Sequence, residues 1–264
     1  MVIDNRPGAN GAIALNVTAT SPADGYTIMA VAQSFLTHQV VYKDFRYDVR
    51  KDITPIIQGA NFPLVLVVHP TVPARSVKEL IELAKSKPGA TAYGDNGGIG
   101  SSGHIAGAFF AQRAAIDITH VPYKGAGPMY TDLLGGQIQI AFTHITSVLP
   151  YVRSNRVRPL ASTSMTRLPS LPDVPTLVES GFSGFNVSEV WGVIAPPSLP
   201  RPIALRLNEE FATILKAPPL YDRLNGEGGQ VVAGTPEQFA EFIAAEVPVI
   251  SGVLQRAGIR PGGF

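Results

Sequence analysis

Short apolar runs alternate with amphipathic stretches along the 264-residue chain, and that alternation sets the first expectation about its fold. Residues 27–32, 64–68, 118–121, 138–142, 159–162 and 187–194 read as strands, several of them continuous apolar runs of the kind found where both faces of a sheet are covered. Helical patterns lie between them. Ser76 followed by Glu79 is a capping-box signature for a helix over 77–87, and Thr235-Pro236-Glu237-Gln238 is a second one, with proline at the first helical position, opening a C-terminal helix that Pro248 should kink. Another helix is expected over 145–153, with Thr143-His144 just ahead of it. Strands alternating with helices predict an α/β architecture with parallel sheets.

Two of the strands look like crossovers. Leu64-Val65-Leu66-Val67-Val68-His69-Pro70 and Trp191-Gly192-Val193-Ile194-Ala195-Pro196-Pro197 are apolar runs with proline-containing exits, and they bracket a block of domain size. The expected division is a domain 1 of residues 1–70 with 197–264 and a domain 2 of residues 71–196.

The most informative segment is Tyr93-Gly94-Asp95-Asn96-Gly97-Gly98-Ile99-Gly100-Ser101-Ser102-Gly103-His104-Ile105. Glycines and serines here separate a short apolar run from an Ala/Phe-rich helical pattern at 105–115, which reads as strand, tight turn and helix start. Such a turn suits an anion, because glycine lets the backbone approach closely and the first helical turn presents unpaired N–H groups. Three readings follow. Gly98, Gly100 and Gly103 spell G-x-G-x-x-G, but the acidic residue a dinucleotide site wants at the end of the next strand is replaced by Tyr123-Lys124. A hydrolase using Ser101 or Ser102 with His104 lacks the G-x-S-x-G elbow, and a serine this close to a histidine is also an ordinary helix cap. The third reading is a site that binds a small carboxylate and performs no chemistry.

Composition narrows the field. A net charge of +1 with dispersed basic residues gives no general field for nucleic acid. Zero cysteines excludes thiolate metal sites, disulfides and a cysteine nucleophile. The five histidines, His38, His69, His104, His120 and His144, are scattered without ligand spacing, so neither a metal nor a cofactor is expected. Lys124 could serve as a counter-ion to a ligand carboxylate.

Several landmarks together carry a resemblance: Asn5-Arg6-Pro7-Gly8-Ala9, Pro22-Ala23-Asp24-Gly25-Tyr26-Thr27, the loop ending in His104, Val121-Pro122-Tyr123-Lys124-Gly125, Asp132-Leu133-Leu134-Gly135-Gly136-Gln137 and Leu171-Pro172-Asp173-Val174-Pro175-Thr176. Across essentially its whole length the sequence resembles the tripartite tricarboxylate transporter receptors, also called the Bug family. The resemblance implies a type II periplasmic-binding-protein-like fold, two α/β domains joined by two crossover strands and closing on a small organic acid. It also implies a periplasmic, non-enzymatic monomer that delivers a di- or tricarboxylate, amino acid or aromatic acid to membrane transporter subunits. A sensory ligand-binding module stays open as an alternative, since the receptor end would look the same. The family carries a signal peptide and a first strand–helix unit ahead of the Asn5-Arg6 stretch. This chain begins at Met1-Val2-Ile3, so an incomplete domain 1 is expected, and a cytoplasmic location if the chain is whole.

Candidate ligand-binding residues are Ser34 and His38 after the first strand, Asn61 and Phe62 at the first crossover, and Gly98, Gly100, Ser101, Ser102 and His104 in the loop. Thr143, where the family usually has a polar residue, and Glu189 on the second crossover complete the set.

Overall fold

The structure, a computed structural model, describes residues 2–6, 9–43, 45–226 and 228–259. Pro7 and Gly8 of the first landmark lie outside the described residues. The chain opens with α1 (Ala12–Thr20), β1 (Met29–Val31), α2 (His38–Val41), β2 (Thr54–Val68) and α3 (Val77–Ser86). There follow β3 (Ala92–Asp95), α4 (Ser102–Ala114), β4 (Thr119–Pro122), α5 (Ala126–Leu134), β5 (Ile140–His144), α6 (Ile145–Arg153) and β6 (Arg158–Ser162). The last part is β7 (Ser188–Ala195), α7 (Arg201–Lys216), α8 (Pro218–Gly226), β8 (Gln230–Val231) and α9 (Pro236–Arg256). The chain folds as two compact units, one from Met1–Asn61 with Val190–Phe264 and one from Phe62–Glu189. It passes from one to the other inside β2 and again inside β7, whereas the sequence suggested the exits of those strands.

In the unit Phe62–Glu189 the strand order is β6-β2-β5-β3-β4. The sheet is mixed and not wholly parallel: β3 runs parallel to β4 and β5, while β2 is antiparallel to both β5 and β6. Val65 and Val67 of β2, both fully buried, pack with Met129 and Leu133 of α5, Ala141 of β5 and Val148 of α6. Helix α3 shows how the pattern becomes structure, since Val77, Leu80 and Ala84 recur at helical spacing and are its buried residues. The Ser76 hydroxyl caps it by accepting the Glu79 N–H.

The other unit holds β1, β8, the first half of β2 and most of β7. Here β1 pairs antiparallel with β7, and β8 with β2. Residues 54–61 of β2 lay outside the expected strand because Pro55, Gln58, Gly59 and Asn61 interrupt the apolar run, yet Ile56 and Ile57 are buried against Leu199 and Ala204. The backbone of β7 comes so close to α9 and β2 at Gly192 that a Cβ there would lie 2.7 Å from the Phe239 ring and 2.8 Å from the Ile57 carbonyl oxygen. Helix α9 opens on the expected capping box of Thr235 and Gln238 and continues through Pro248 to Arg256. Among the described residues no helix is long and apolar enough to cross a membrane.

Candidate functional site

Strand order marks a candidate place for a site within the Phe62–Glu189 unit. From β3 the chain goes through α4 outward to β4, whereas from β5 it goes through α6 to β6 at the opposite edge, so connections diverge between β3 and β5. Ligands of open α/β sheets lie at such a switch point, off the carboxyl ends of the strands. The loop 96–101, the start of α4, and His144 at the end of β5 occupy that place.

Asp95, the last residue of β3, organises the loop. Its carboxylate is fully buried, and Oδ1 accepts the Gly97 N–H at 2.8 Å and the Ser101 hydroxyl at 2.5 Å, while Oδ2 is bonded to Nε2 of His120. A buried carboxylate needs several donors to be tolerated, and this one has a backbone amide, a hydroxyl and an imidazole. Gly98 and Gly100 supply left-handed turns, with φ of 74° and 84°, that a side chain would strain. Ser101 is the N-cap of α4, its hydroxyl oxygen accepting the His104 N–H at 3.2 Å. The carbonyl of Ser101 takes the Ile105 N–H. The N–H groups of Ser102 and Gly103, next in the first turn, have no carbonyl of their own helix to bond, an arrangement that suits an anion. Gly103 allows this tight arrangement, since a Cβ there would be 2.7 Å from both the Asp95 Cβ and the Phe142 carbonyl oxygen.

The ring of His104 accepts the Gly100 N–H on Nδ1 at 3.0 Å. Burial, and then the neighbouring His120, push its pKa down to about 3, with Asp95 pulling weakly the other way. His104 is therefore a neutral hydrogen-bond acceptor that fixes the loop. Neither serine hydroxyl is bonded to its ring: Ser101 donates to Asp95 and Ser102 to Glu189 at 2.6 Å. A nucleophile–base pair of the hydrolase type needs that missing contact.

The expected residues fall into two groups. Gly98, Gly100, Ser101, Ser102 and His104 form the loop, and Glu189 joins them through Ser102. Thr143 is fully buried and its hydroxyl pairs with Tyr130 at 2.9 Å. Because side chains alternate along a strand, its neighbour His144 points the other way, and Nε2 of His144 stands 3.6 Å from Glu189. Phe62 is buried where β2 enters this unit. In the other unit, Ser34 and His38 converge on one acceptor, the Asn10 carbonyl, at 3.1 and 2.9 Å. Asn10 has a φ of 55°, so the two donors hold a left-handed residue at the turn into α1. Burial lowers the pKa of His38, opposed by that backbone bond. Asn61 accepts from the Gln58 amide at 2.9 Å.

Asp95 and His120 were not singled out as site residues from the sequence, and His144 was noted only with Thr143 ahead of α6. His120 reaches Asp95 only because β4 pairs with β3, and His144 stands near Glu189 only through the fold of the unit. A polar residue on each of the strands flanking the Gly/Ser loop was the available signal. Among the described residues no three His, Asp or Glu side chains are arranged to hold a metal ion.

Against known proteins, residues 1–259 match the tripartite tricarboxylate transporter family receptor profile. Protein BugT of Bordetella pertussis is 33% identical over 262 residues, which cover 98% of this chain and 80% of that protein. Among solved structures, an R. palustris protein with adipate superposes with a TM-score of 0.87 at 34% identity, covering 98% of this chain and 87% of that one. The periplasmic binding protein BugD superposes with a TM-score of 0.84 at 29% identity and the same coverage of 98% and 87%. The two α/β units joined through β2 and β7 are the fold of these periplasmic binding proteins.

Proposed function

The chain belongs to the tripartite tricarboxylate transporter receptor family, and from that premise we propose that it is a solute receptor. In this reading it captures a small organic carboxylate in the periplasm and delivers it to the membrane subunits of a tripartite tricarboxylate-type transporter. The observation that carries the reading is the start of α4. There the Asp95-braced loop and the Ser101 cap hold the Ser102 and Gly103 N–H groups toward one carboxylate at the switch point of the sheet.

The reading assigns no chemical step, because the groups a hydrolase would use are committed to structure: Ser101 to Asp95 and the imidazole of His104 to Gly100. It also assigns no metal and no cofactor, and the working unit is one chain. The site residues in this reading are Gly98, Gly100, Ser101, Ser102 and His104, with Glu189 and His144 beside them. Ser34 and His38, in the other unit, set the backbone around Asn10. The solved relative that carries adipate makes a dicarboxylate of that size a sensible first ligand to try.

The test is a thermal-shift screen of the purified chain against mono-, di- and tricarboxylates, amino acids and aromatic acids. A ligand that binds only the native state stabilises it by about 2.7 kcal/mol at a hundredfold excess over Kd. A clear shift with one chemical class supports the reading and names the substrate class; a folded chain that shifts with none counts against it.

A further inference from the structure

Three asparagines in the chain are followed by glycine: Asn10–Gly11, Asn96–Gly97 and Asn225–Gly226. In such a pair glycine puts no side chain in the way of an attack by its own nitrogen on the asparagine side chain. That nitrogen bonds to the asparagine Cγ and loses its proton. The Cγ–N bond of the side-chain amide breaks, and ammonia leaves with the proton. Water then opens the cyclic imide at one of its two carbonyls, leaving aspartate or isoaspartate and restoring the backbone N–H. The backbone must first turn the nitrogen to the same side as the side chain.

The fold treats the three pairs differently. Asn10 is held left-handed, with φ 55° and ψ 29°, which turns the Gly11 nitrogen away from the side chain, and its carbonyl is clamped by Ser34 and His38. Asn225 lies in the last turn of α8, which is pinned by buried Leu224 and by the Gly229 and Gly228 N–H groups on the Leu224 and Asn225 carbonyls. Asn96 belongs to no helix or strand. It is half-buried, Gly97 beside it is exposed, and among the described residues the Asn96 side chain makes no hydrogen bond. Its restraint is a side-chain contact: the Gly97 N–H donates to Oδ1 of buried Asp95 at 2.8 Å. A carboxylate there keeps the proton on the nitrogen that has to lose it.

We propose that Asn96 is the site at which the native chain converts asparagine to aspartate and isoaspartate, with the Asp95 contact setting the rate. Ring closure at Asn96 waits for the Gly97–Asp95 bond to open, a local event. At Asn10 and Asn225 it waits for the turn into α1 or the end of α8 to unfold. Either product places a second carboxylate one residue from Asp95, and isoaspartate also adds a methylene to the main chain of the loop. The inference is independent of what the loop binds.

The experiment is incubation of the whole folded chain at mildly alkaline pH, followed by peptide mapping with mass spectrometry, which reads the amide-to-acid mass gain at each of the three sites. Conversion at Asn96 is expected at least fivefold faster than at Asn10 or Asn225, and Asn96→Gln should lack that product. Conversion at Asn10 or Asn225 as fast as at Asn96 overturns the inference, and so does none at Asn96 when the same chain in urea converts there. Asp95→Ala should speed conversion at Asn96 at least fivefold and leave Asn10 and Asn225 unchanged, which separates a lost local contact from general unfolding. An unchanged rate at Asn96 in that variant overturns the part given to Asp95. If the alanine chain is unfolded, with all three sites rising together, Asp95→Asn removes the charge while keeping the shape and decides the same point.

Discussion

The imidazole of His104 lies flat on that of His120, with ring centroids 4.0 Å apart and planes 7° from parallel. The two rings have opposite hydrogen-bonding parts. His120 is bonded through Nε2 to Asp95, and His104 receives the Gly100 N–H on Nδ1. Two stacked cations would repel in a buried place, so the arrangement needs His104 neutral, which burial and the neighbouring ring enforce.

That neutrality predicts an acid-sensitive fold. His104 has a native pKa of about 3 against an ordinary value of 6.5, so between those limits the unfolded chain binds a proton that the native chain does not. Stability from this group is complete above pH 6.5 and falls as the pH is lowered toward 3, with a limiting slope of about 1.4 kcal/mol per pH unit. Urea unfolding at pH 7.5, 6.5, 5.5 and 4.5 should show the loss beginning below pH 6.5, and His104→Gln should flatten it. A wild-type curve with no decline between pH 6.5 and 5.5 would refute the assignment.

Asp95 is expected to matter more than an exposed acid would. Its carboxylate joins the Gly97 amide, the Ser101 hydroxyl and the His120 ring, and bonds to a charged group contribute about 1.5–3 kcal/mol each. Asp95→Asn keeps the shape but exchanges one acceptor oxygen for an NH₂ donor. A destabilisation of about 3 kcal/mol in chemical unfolding is expected, together with weaker ligand binding because the loop loses its brace. A loss under about 0.5 kcal/mol would mean that the loop holds itself without Asp95.

Two glycines of α4 set local rules against each other. Alanine is favoured over glycine in a helix by about 1 kcal/mol. At Gly107, however, a Cβ would lie 2.1 Å from the Tyr93 ring, and at Gly103 it would meet the Phe142 backbone oxygen at 2.7 Å. Overpacking typically costs about 1–3 kcal/mol. Both alanine variants should therefore be less stable than the wild type, Gly103→Ala the more so because a backbone oxygen moves less readily than a ring. An increase in melting temperature for either would contradict these close contacts.

Much of this was legible in the sequence where local chemistry decides. The Ser76, Thr235 and Ser101 caps, the turn between β3 and α4, and the apolar strands depend on residues a few positions apart, and the structure has them. What was not legible depends on partners far along the chain. The first half of β2 carries Pro55, Gln58 and Gly59 and looks like a loop until α7 covers Ile56 and Ile57. Thr143 and His144 are neighbours in sequence, and only the register of β5 against β2 sends one to Tyr130 and the other toward Glu189. His120 reaches Asp95 because β4 pairs parallel with β3, with Tyr93 opposite His120 and Asp95 opposite Pro122.

Two N-caps separate a purely structural role from a double one. Thr235 is exposed and its hydroxyl oxygen accepts the Gln238 N–H at 3.2 Å, with the Gln238 side chain returning the bond to the Thr235 N–H at 2.9 Å. Replacing such a cap by alanine typically costs about 1 kcal/mol. Ser101 is buried, and besides capping α4 it donates to the Asp95 carboxylate. Ser101→Ala therefore removes a cap and a charge-assisted bond together, and about 2–3 kcal/mol is expected. Thr235→Ala should lower unfolding free energy by about 1 kcal/mol and leave ligand affinity as it was, since it lies outside the unit that holds the Asp95 loop. Ser101→Ala should lower both. Equal stability losses in the two variants, measured by urea unfolding with ligand titration alongside, would remove the Asp95 contact from the account of how this loop is held.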